Sequence, residues 1–350
     1  MPPNHPLSEQ DNVTDSPRAA HRAANARSST EPVPEQLWNP AVTSDGSRDD
    51  RILFVGDIHD KARTLCPLID QAADQTDAGT IVLLGDLLNE WDISADDEIA
   101  EFRALVGWIA EQRNQRDVIV LLGNHDLTYW VDQGTKGHRL FTMLCPGYLA
   151  EAYPEVHRLL HTLDPRIMFG FTDSRGRQVL ASHAGLTQGW WDHVFNARGA
   201  DGLNTGMDPS LGGNAESVTR MVNALARKSI GYFGAMIGGE RGGQWNLDPS
   251  PVWAGKEELA ADPLPGFLQI VGHTPVPTVQ HRICERGEGA TAAHAPGDLD
   301  ARQQAEIWYC DTYSLTVFGW PIGDGSLLLY DRAAGSAWRV ATGYAGGNDM

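Results

Sequence analysis

Ile52-Leu53-Phe54-Val55 runs straight into Gly56-Asp57-Ile58-His59, and this stretch decides the fold. Four consecutive apolar residues that stop at a glycine mark a short strand buried on both faces, as in a parallel sheet. The pattern returns twice: Ile81-Val82-Leu83-Leu84 stops at Gly85-Asp86-Leu87-Leu88-Asn89, and Val118-Ile119-Val120-Leu121-Leu122 stops at Gly123-Asn124-His125-Asp126. Helical stretches are expected between them at about 60–75 and 94–115, the second with Phe102, Leu105, Val106 and Ile109 on one face. The unit reads βαβαβ, with helices covering the faces of a parallel sheet.

Working outward, strands are expected at about 166–172, 178–182, 268–271, 306–309, 314–320 and 326–331. A Gly- and Trp-rich insert occupies about 185–265, with one helix near 215–230. Residues 1–50 hold almost no large apolar side chain before Leu37 and Trp38, so they are expected to form a disordered tail, because so little burial cannot offset the entropy of ordering. One domain then spans 51–345, and no internal repeat is evident.

Composition narrows the function classes. The 350 residues carry 27 basic and 46 acidic side chains, a formal charge of −19, which opposes broad binding to nucleic acid or to an anionic membrane surface. Cys66, Cys145, Cys284 and Cys310 are scattered without a CxxC pair, which favours free thiols in a reducing compartment. No apolar run approaches the roughly 20 residues that span a bilayer, and the N-terminus lacks a secretory pattern. The expectation is a cytoplasmic protein without membrane contact.

Chemistry is concentrated where the strands end. In open α/β sheets side chains converge at the carboxyl ends of the strands, and three polar clusters at three equivalent ends are hard to explain by packing. Two further His residues follow expected strands, in Ser182-His183-Ala184-Gly185 and Gly272-His273-Thr274-Pro275. Asp57, Asp86, Asn124, His59, His183 and His273 make a mixed O/N donor set, with His125 beside it. Such a set without Cys suits a pair of borderline divalent ions, Mn, Fe, Zn or Co, better than a structural zinc. Two ions a few ångströms apart serve in-line displacement at phosphorus.

The ordered set GDIH, GDLLN, GNHD, SHAG and GHTP, from about Arg51 to Tyr330, resembles the calcineurin-like metallophosphoesterase superfamily. HAGL followed by Trp190-Trp191, then GHTP, is similar to the branch holding phosphoprotein phosphatases and bacterial symmetrical diadenosine-tetraphosphate hydrolases. The resemblance implies a four-layer α/β sandwich, two β-sheets flanked by helices. It implies that Asp57 and His59 hold one metal, that Asp86 bridges, and that Asn124, His183 and His273 complete the second. A metal-bridging hydroxide would attack phosphorus and His125 would act as general acid. Where superfamily members with GHxH add a second His to the first metal this chain has Pro275, so the resemblance implies one more water there, as in the phosphoprotein phosphatase branch.

Two departures bear on substrate. Phosphoprotein phosphatases carry GDxxDRG, whereas this chain has Gly85-Asp86-Leu87-Leu88-Asn89-Glu90-Trp91. Asn89 therefore replaces the Asp that pairs with the catalytic His, and can orient His125 without stabilising its cation as a carboxylate does. Glu90 replaces a phosphate-gripping Arg, so Arg241, Lys256 and Arg63 become the candidates for that contact. The expected activity is hydrolysis of phosphomonoesters, on a phosphoprotein or a small phosphorylated metabolite. A dinucleoside polyphosphate hydrolase is the alternative, and a catalytically silent binding module the rival from another class.

Other features read more plainly. His157 and His161 fit a solvated or partly buried helix face, since no Glu follows His157 as in a zincin pair. Trp190, Trp191, Trp245 and Trp253 could stack a base but fit packing of the insert better, and the glycines at 238, 239, 242 and 243 read as a mobile loop. The acidic run 92–98 reads as a helix start, with Ser94 as cap and Asp96, Asp97 and Glu98 in the first turn.

Overall fold

The computed structural model describes residues 47–196, 213–244, 247–285 and 304–344. Most of the expected tail, Trp245, His5, His21 and His294 lie outside them. The last residues of that tail, Arg48–Asp50, form a 3-10 turn instead, and the Arg48 carbonyl accepts from Gly79 N at 2.9 Å.

Among the described residues ten strands build two sheets. The first has the order β10-β9-β1-β2-β3, with β1 Arg51–Val55, β2 Thr80–Leu83, β3 Asp117–Val120, β9 Leu327–Asp331 and β10 Ser336–Val340. The second runs β4-β5-β6-β8-β7, with β4 Met168–Thr172, β5 Gln178–Ser182, β6 Phe267–Val271, β7 Gln280–Glu285 and β8 Gln304–Tyr309. In each sheet a parallel trio (β1, β2, β3 and β5, β6, β8) carries antiparallel neighbours. The first trio is the set of strands that the unbroken apolar runs predicted, and the second falls on the expected ranges 178–182, 268–271 and 306–309.

Alternation along the strands separates the layers. Ile52, Phe54, Val82 and Leu84 meet Val179, Ala181, Leu268 and Ile270 between the sheets, while Leu53, Val55, Ile81 and Leu83 face helices Ala62–Gln75 and Ala95–Gln112. Helix Ala95–Gln112 buries Glu98, Phe102, Leu105 and Ile109 at spacings of three and four, and Ser94 Oγ caps it by accepting from Asp97 N at 3.2 Å. Helix Ala215–Ser229 covers the second sheet, anchored by Asn223 Oδ1, which accepts from Ile167 N and Met168 N at 3.0 Å each. Helices, sheet, sheet and helices make the expected four layers.

Three sequence expectations need correction. Residues 314–320 are not a strand but a tight loop closed by a Leu315–Pro321 bridge, in which Thr316 Oγ1 accepts from Phe318 N and Trp320 N. Gly319 and Pro321 break the run, and Val317, Phe318 and Trp320 stand exposed. β7 and β10 went unpredicted because both are sheet edges, where polar side chains interrupt the apolar pattern. The insert holds short helices besides the one foreseen, among them Gly231–Gly234 and Lys256–Ala261.

Candidate metal centre

The carboxyl ends of β1, β2, β3, β5 and β6 deliver Asp57, Asp86, Asn124, His183 and His273 to one place. The glycines before them are required by close approach. A Cβ on Gly123 would lie 2.1 Å from Asp86 Oδ1, and one on Gly272 would lie 2.3 Å from Asp57 Oδ1. His59, Asp60, Asp86, Asn89 and His273 all take positive φ, between 43° and 65°. Strained backbone of this kind gathers where side chains must be aimed at a common point.

Two overlapping groups can each hold an ion: Asp57, His59 and Asp86, and Asp86, His183 and His273, with ligand atoms inside 4.8 Å of one another. Asp86 Oδ2 lies 3.2 Å from His183 Nε2 and 3.9 Å from His59 Nε2, so one carboxylate faces both groups. The donor set fits cations. His183 Nδ1 donates to Leu84 O at 3.0 Å, which aims Nε2 at Asn124 Oδ1 and His273 Nδ1, each 3.0 Å away. Lone pairs crowded on one point repel unless a positive charge sits among them. His59 repeats the arrangement, with Nδ1 on Leu88 O at 2.9 Å and Nε2 3.9 Å from Asp57 Oδ2. His273 Nε2 is buried without a hydrogen-bond partner.

The charges respond to one another. Burial, Asp311 and Asp86 push the Asp57 carboxyl well above the usual carboxylate range. Burial would raise Asp86 as well, yet His183, His125 and His59 hold it well below that range. Burial pushes His59 down to about 4 and His273 well below the ordinary His value, whereas His183, against its own burial, is drawn up to about 9 by Asp86 and Asp57. Buried Asp126, raised to about 7 by burial and Asp86, accepts from Leu87 N at 2.9 Å and Gly123 N at 2.8 Å, tying the loops after β2 and β3 together.

His125 stands beside the groups, as its sequence position implied. Its backbone N donates to Asp86 Oδ1 at 2.9 Å, its ring meets the His59 ring edge-on with centroids 5.3 Å apart, and its Nδ1 lies 3.3 Å from Asn89 Oδ1. Of the three basic candidates, only Arg241 touches this region, donating to Thr274 Oγ1 at 2.8 Å and His273 O at 3.3 Å. Lys256 is engaged with Gln280 Oε1 and lies over the Tyr309 ring, and Arg63 pairs with Glu101 on the surface, so neither is brought to the cluster.

Several participants escaped sequence reading. Lys61 Nζ contacts the His59 carbonyl and pairs with Glu90, so the acidic side chain at position 90 is matched by a cation from a different loop. Cys145 Sγ sits 3.2 Å from Asn89 Oδ1 and 3.4 Å from His125 Nδ1. Glu98, expected only to favour a helix start, turns inward and reaches Asn89. No local motif marks these residues, because each comes from a distant element. Trp190, Trp191 and Trp253 are buried in the core, as packing predicted. Half-buried His157 and exposed His161 bond the Tyr129 and Trp130 carbonyls, and all four cysteines are buried free thiols.

Residues 50–217 match the family model described as calcineurin-like phosphoesterase. No curated protein matches the chain. Among solved structures the chain is similar to a hypothetical protein from Pyrococcus horikoshii, at 8% identity over 84% of this chain and 88% of that one, with a TM-score of 0.43. It is also similar to "a putative diadenosine tetraphosphatase", at 17% identity over 89% and 99%, TM-score 0.35. A dimetal phosphatase from Danio rerio aligns at 11% identity over 83% and 98%, TM-score 0.29. The family match begins at β1 and takes in the ends of β1, β2, β3 and β5, where four of the five motifs lie: this chain carries a calcineurin-like phosphoesterase domain, of a family of metal-dependent hydrolases.

Proposed function

We propose that the protein hydrolyses phosphomonoesters, on a phosphoprotein or a small phosphorylated metabolite, with two divalent ions from among Mn, Fe, Zn and Co. The observation that carries this reading is the Asp86 carboxylate facing two ligand groups at once. Ions held there supply Lewis acidity toward the phosphoryl oxygens and an activated water at neutral pH. Asp57 and His59 bind on one side, Asn124, His183 and His273 on the other. Arg241 lies close enough to grip a phosphoryl oxygen, anchored through Thr274. His125, with Nδ1 on Asn89, presents its opposite nitrogen to the leaving group and, as the doubly protonated imidazolium, gives it the Nε2 proton.

Trp190, Trp191 and Trp253 are buried, so none of these three rings is accessible to stack a base, while Trp245 lies outside the described residues. The complete donor set argues against a silent binding module. Buried free thiols support a reducing, cytoplasmic setting, and among the described residues no helix is long and apolar enough to cross a membrane.

The test combines metal analysis with a chromogenic phosphatase assay, followed by a panel of phosphorylated metabolites and dinucleoside polyphosphates. Two equivalents of metal with chelator-sensitive turnover of monoesters is the expected result. Metal-loaded protein that cleaves no phosphoester would overturn it, and faster cleavage of dinucleoside polyphosphates would replace the substrate class.

A further inference from the structure

Asn89 stands where a carboxylate would face His125 directly, and the groups behind it account for the amide. Its side chain is buried, with Nδ2 3.1 Å from Glu98 Oε2, 3.1 Å from Tyr129 Oη and 3.0 Å from the Gly147 carbonyl. Tyr129 Oη already accepts from Leu149 N at 2.9 Å. Glu98 and Tyr129 are themselves fully buried. The opposite amide orientation would aim the Asn89 oxygen at a carboxylate and a carbonyl in a dry interior, at the cost of two acceptor–acceptor contacts. The oxygen is therefore held toward His125 Nδ1 and Cys145 Sγ, 3.3 and 3.2 Å away. That contact in turn places the proton of a neutral His125 on Nδ1.

We infer that Glu98 is a positioning residue for the reaction, one whose carboxylate requires a donor at position 89 and keeps the Asn89 oxygen on His125. The inference rests on the reading of His125 as the general acid. Negative charge is not missing from this relay; it lies one link farther back than in an Asp–His pair, with the amide transmitting orientation between Glu98 and His125. Lengthening the relay explains an Asn at 89 without loss of function, because an Asp there would set two carboxylates face to face.

The pair can be inverted, and that is the test. Asn89→Asp alone should destabilise the fold and slow turnover, while Asn89→Asp with Glu98→Gln restores a donor–acceptor match and sets the charge directly on His125. Asp tolerates the positive φ of 65° at this position, so the backbone need not move. Melting temperature and turnover of an alkyl phosphate would be measured on the full-length, metal-loaded chain at pH 8, where Glu98, pushed up to about 7 by burial, is ionised. Asn89→Asp should melt several degrees below wild type and turn over about tenfold or more slowly with KM little changed, whereas the double variant should recover part of both, the Gly147 carbonyl still lacking its donor. Glu98→Gln alone should keep its melting temperature but lose part of the turnover, since only the Gly147 carbonyl then opposes the flipped orientation of Asn89. An Asn89→Asp protein that melts and turns over like wild type, or a double variant no better than the single one, would overturn the inference. If the wild type cleaved no phosphoester, the functional reading would fall, while the melting temperatures would still decide the Glu98–Asn89 pairing.

Discussion

His183 Nε2 and Asp86 Oδ2 lie 3.2 Å apart although they follow strands of two different sheets, β5 and β2. The site is thus a seam across the sandwich, and Asp86 is its shared member. Asp86→Asn keeps the shape but removes the carboxylate common to both ligand groups. Metal content should fall below two equivalents, and turnover by more than the about 10- to 100-fold that outer hydrogen-bond partners of ligands usually cost. Metal analysis and steady-state kinetics check this; two retained ions with near-normal turnover would refute the bridging role.

His125→Asn preserves the backbone N–H that holds Asp86, so metal content should stay close to wild type. Turnover of an alkyl phosphate should fall by about 10² to 10⁴, the usual contribution of a positioned acid. The loss on p-nitrophenyl phosphate should be much smaller, because that leaving group departs without a proton. Equal losses on both substrates, or loss of metal, would remove His125 from the acid role.

Arg241→Ala should weaken substrate handling by roughly 10- to 100-fold in kcat/KM, the range expected for one charge-assisted hydrogen bond. Lys256→Ala should leave kcat/KM unchanged, since that side chain is committed to Gln280 and the Tyr309 ring. The reverse ranking would move the phosphate contact away from Thr274.

Chelation should lower the melting temperature as well as abolish activity. Ions that bind only the folded chain stabilise it by about 2.7 kcal/mol at a hundredfold excess over Kd. Titrating Mn or Zn back into the stripped protein while recording melting curves measures the effect, and curves insensitive to metal would contradict the donor-set argument.

Asp173 gives a pH test away from the site. Burial opposes its ionisation, but the Tyr330 hydroxyl, at 2.7 Å, and Arg177 hold its carboxyl below the ordinary Asp value of 3.8. A depressed acid adds stability that is present above the unfolded-state value and lost as pH falls toward the folded one. Denaturant melts at pH 6 and pH 3 should therefore show a smaller pH effect in Asp173→Asn than in wild type; an identical effect would mean that the pairing is balanced in the unfolded chain.

Reading the sequence worked where local pattern and chemistry coincide. Asp57, Asp86 and Asn124 each follow an unbroken apolar run that ends in glycine, and burial on both faces of a parallel strand leaves little else such a run can be; His183 and His273 follow shorter apolar pairs, Val179-Leu180 and Ile270-Val271. Helix starts were legible for a similar reason: Ser94 and its acidic first turn serve an end whose needs are local. Edge strands such as β10 were not, because one side faces water and the pattern dissolves.

By itself, the sequence determined the buried parallel strands, the order of the donor residues and the amide at position 89, since each depends on neighbours in the chain. Only the tertiary structure decided that Lys61 pairs with Glu90, that Arg241 rather than Lys256 or Arg63 reaches the centre, and that Glu98 and Cys145 stand against Asn89. Those contacts join residues many positions apart through the packing of separate loops and helices. Their partners are fixed by which surfaces must be buried together, a condition that no stretch of chain can express alone.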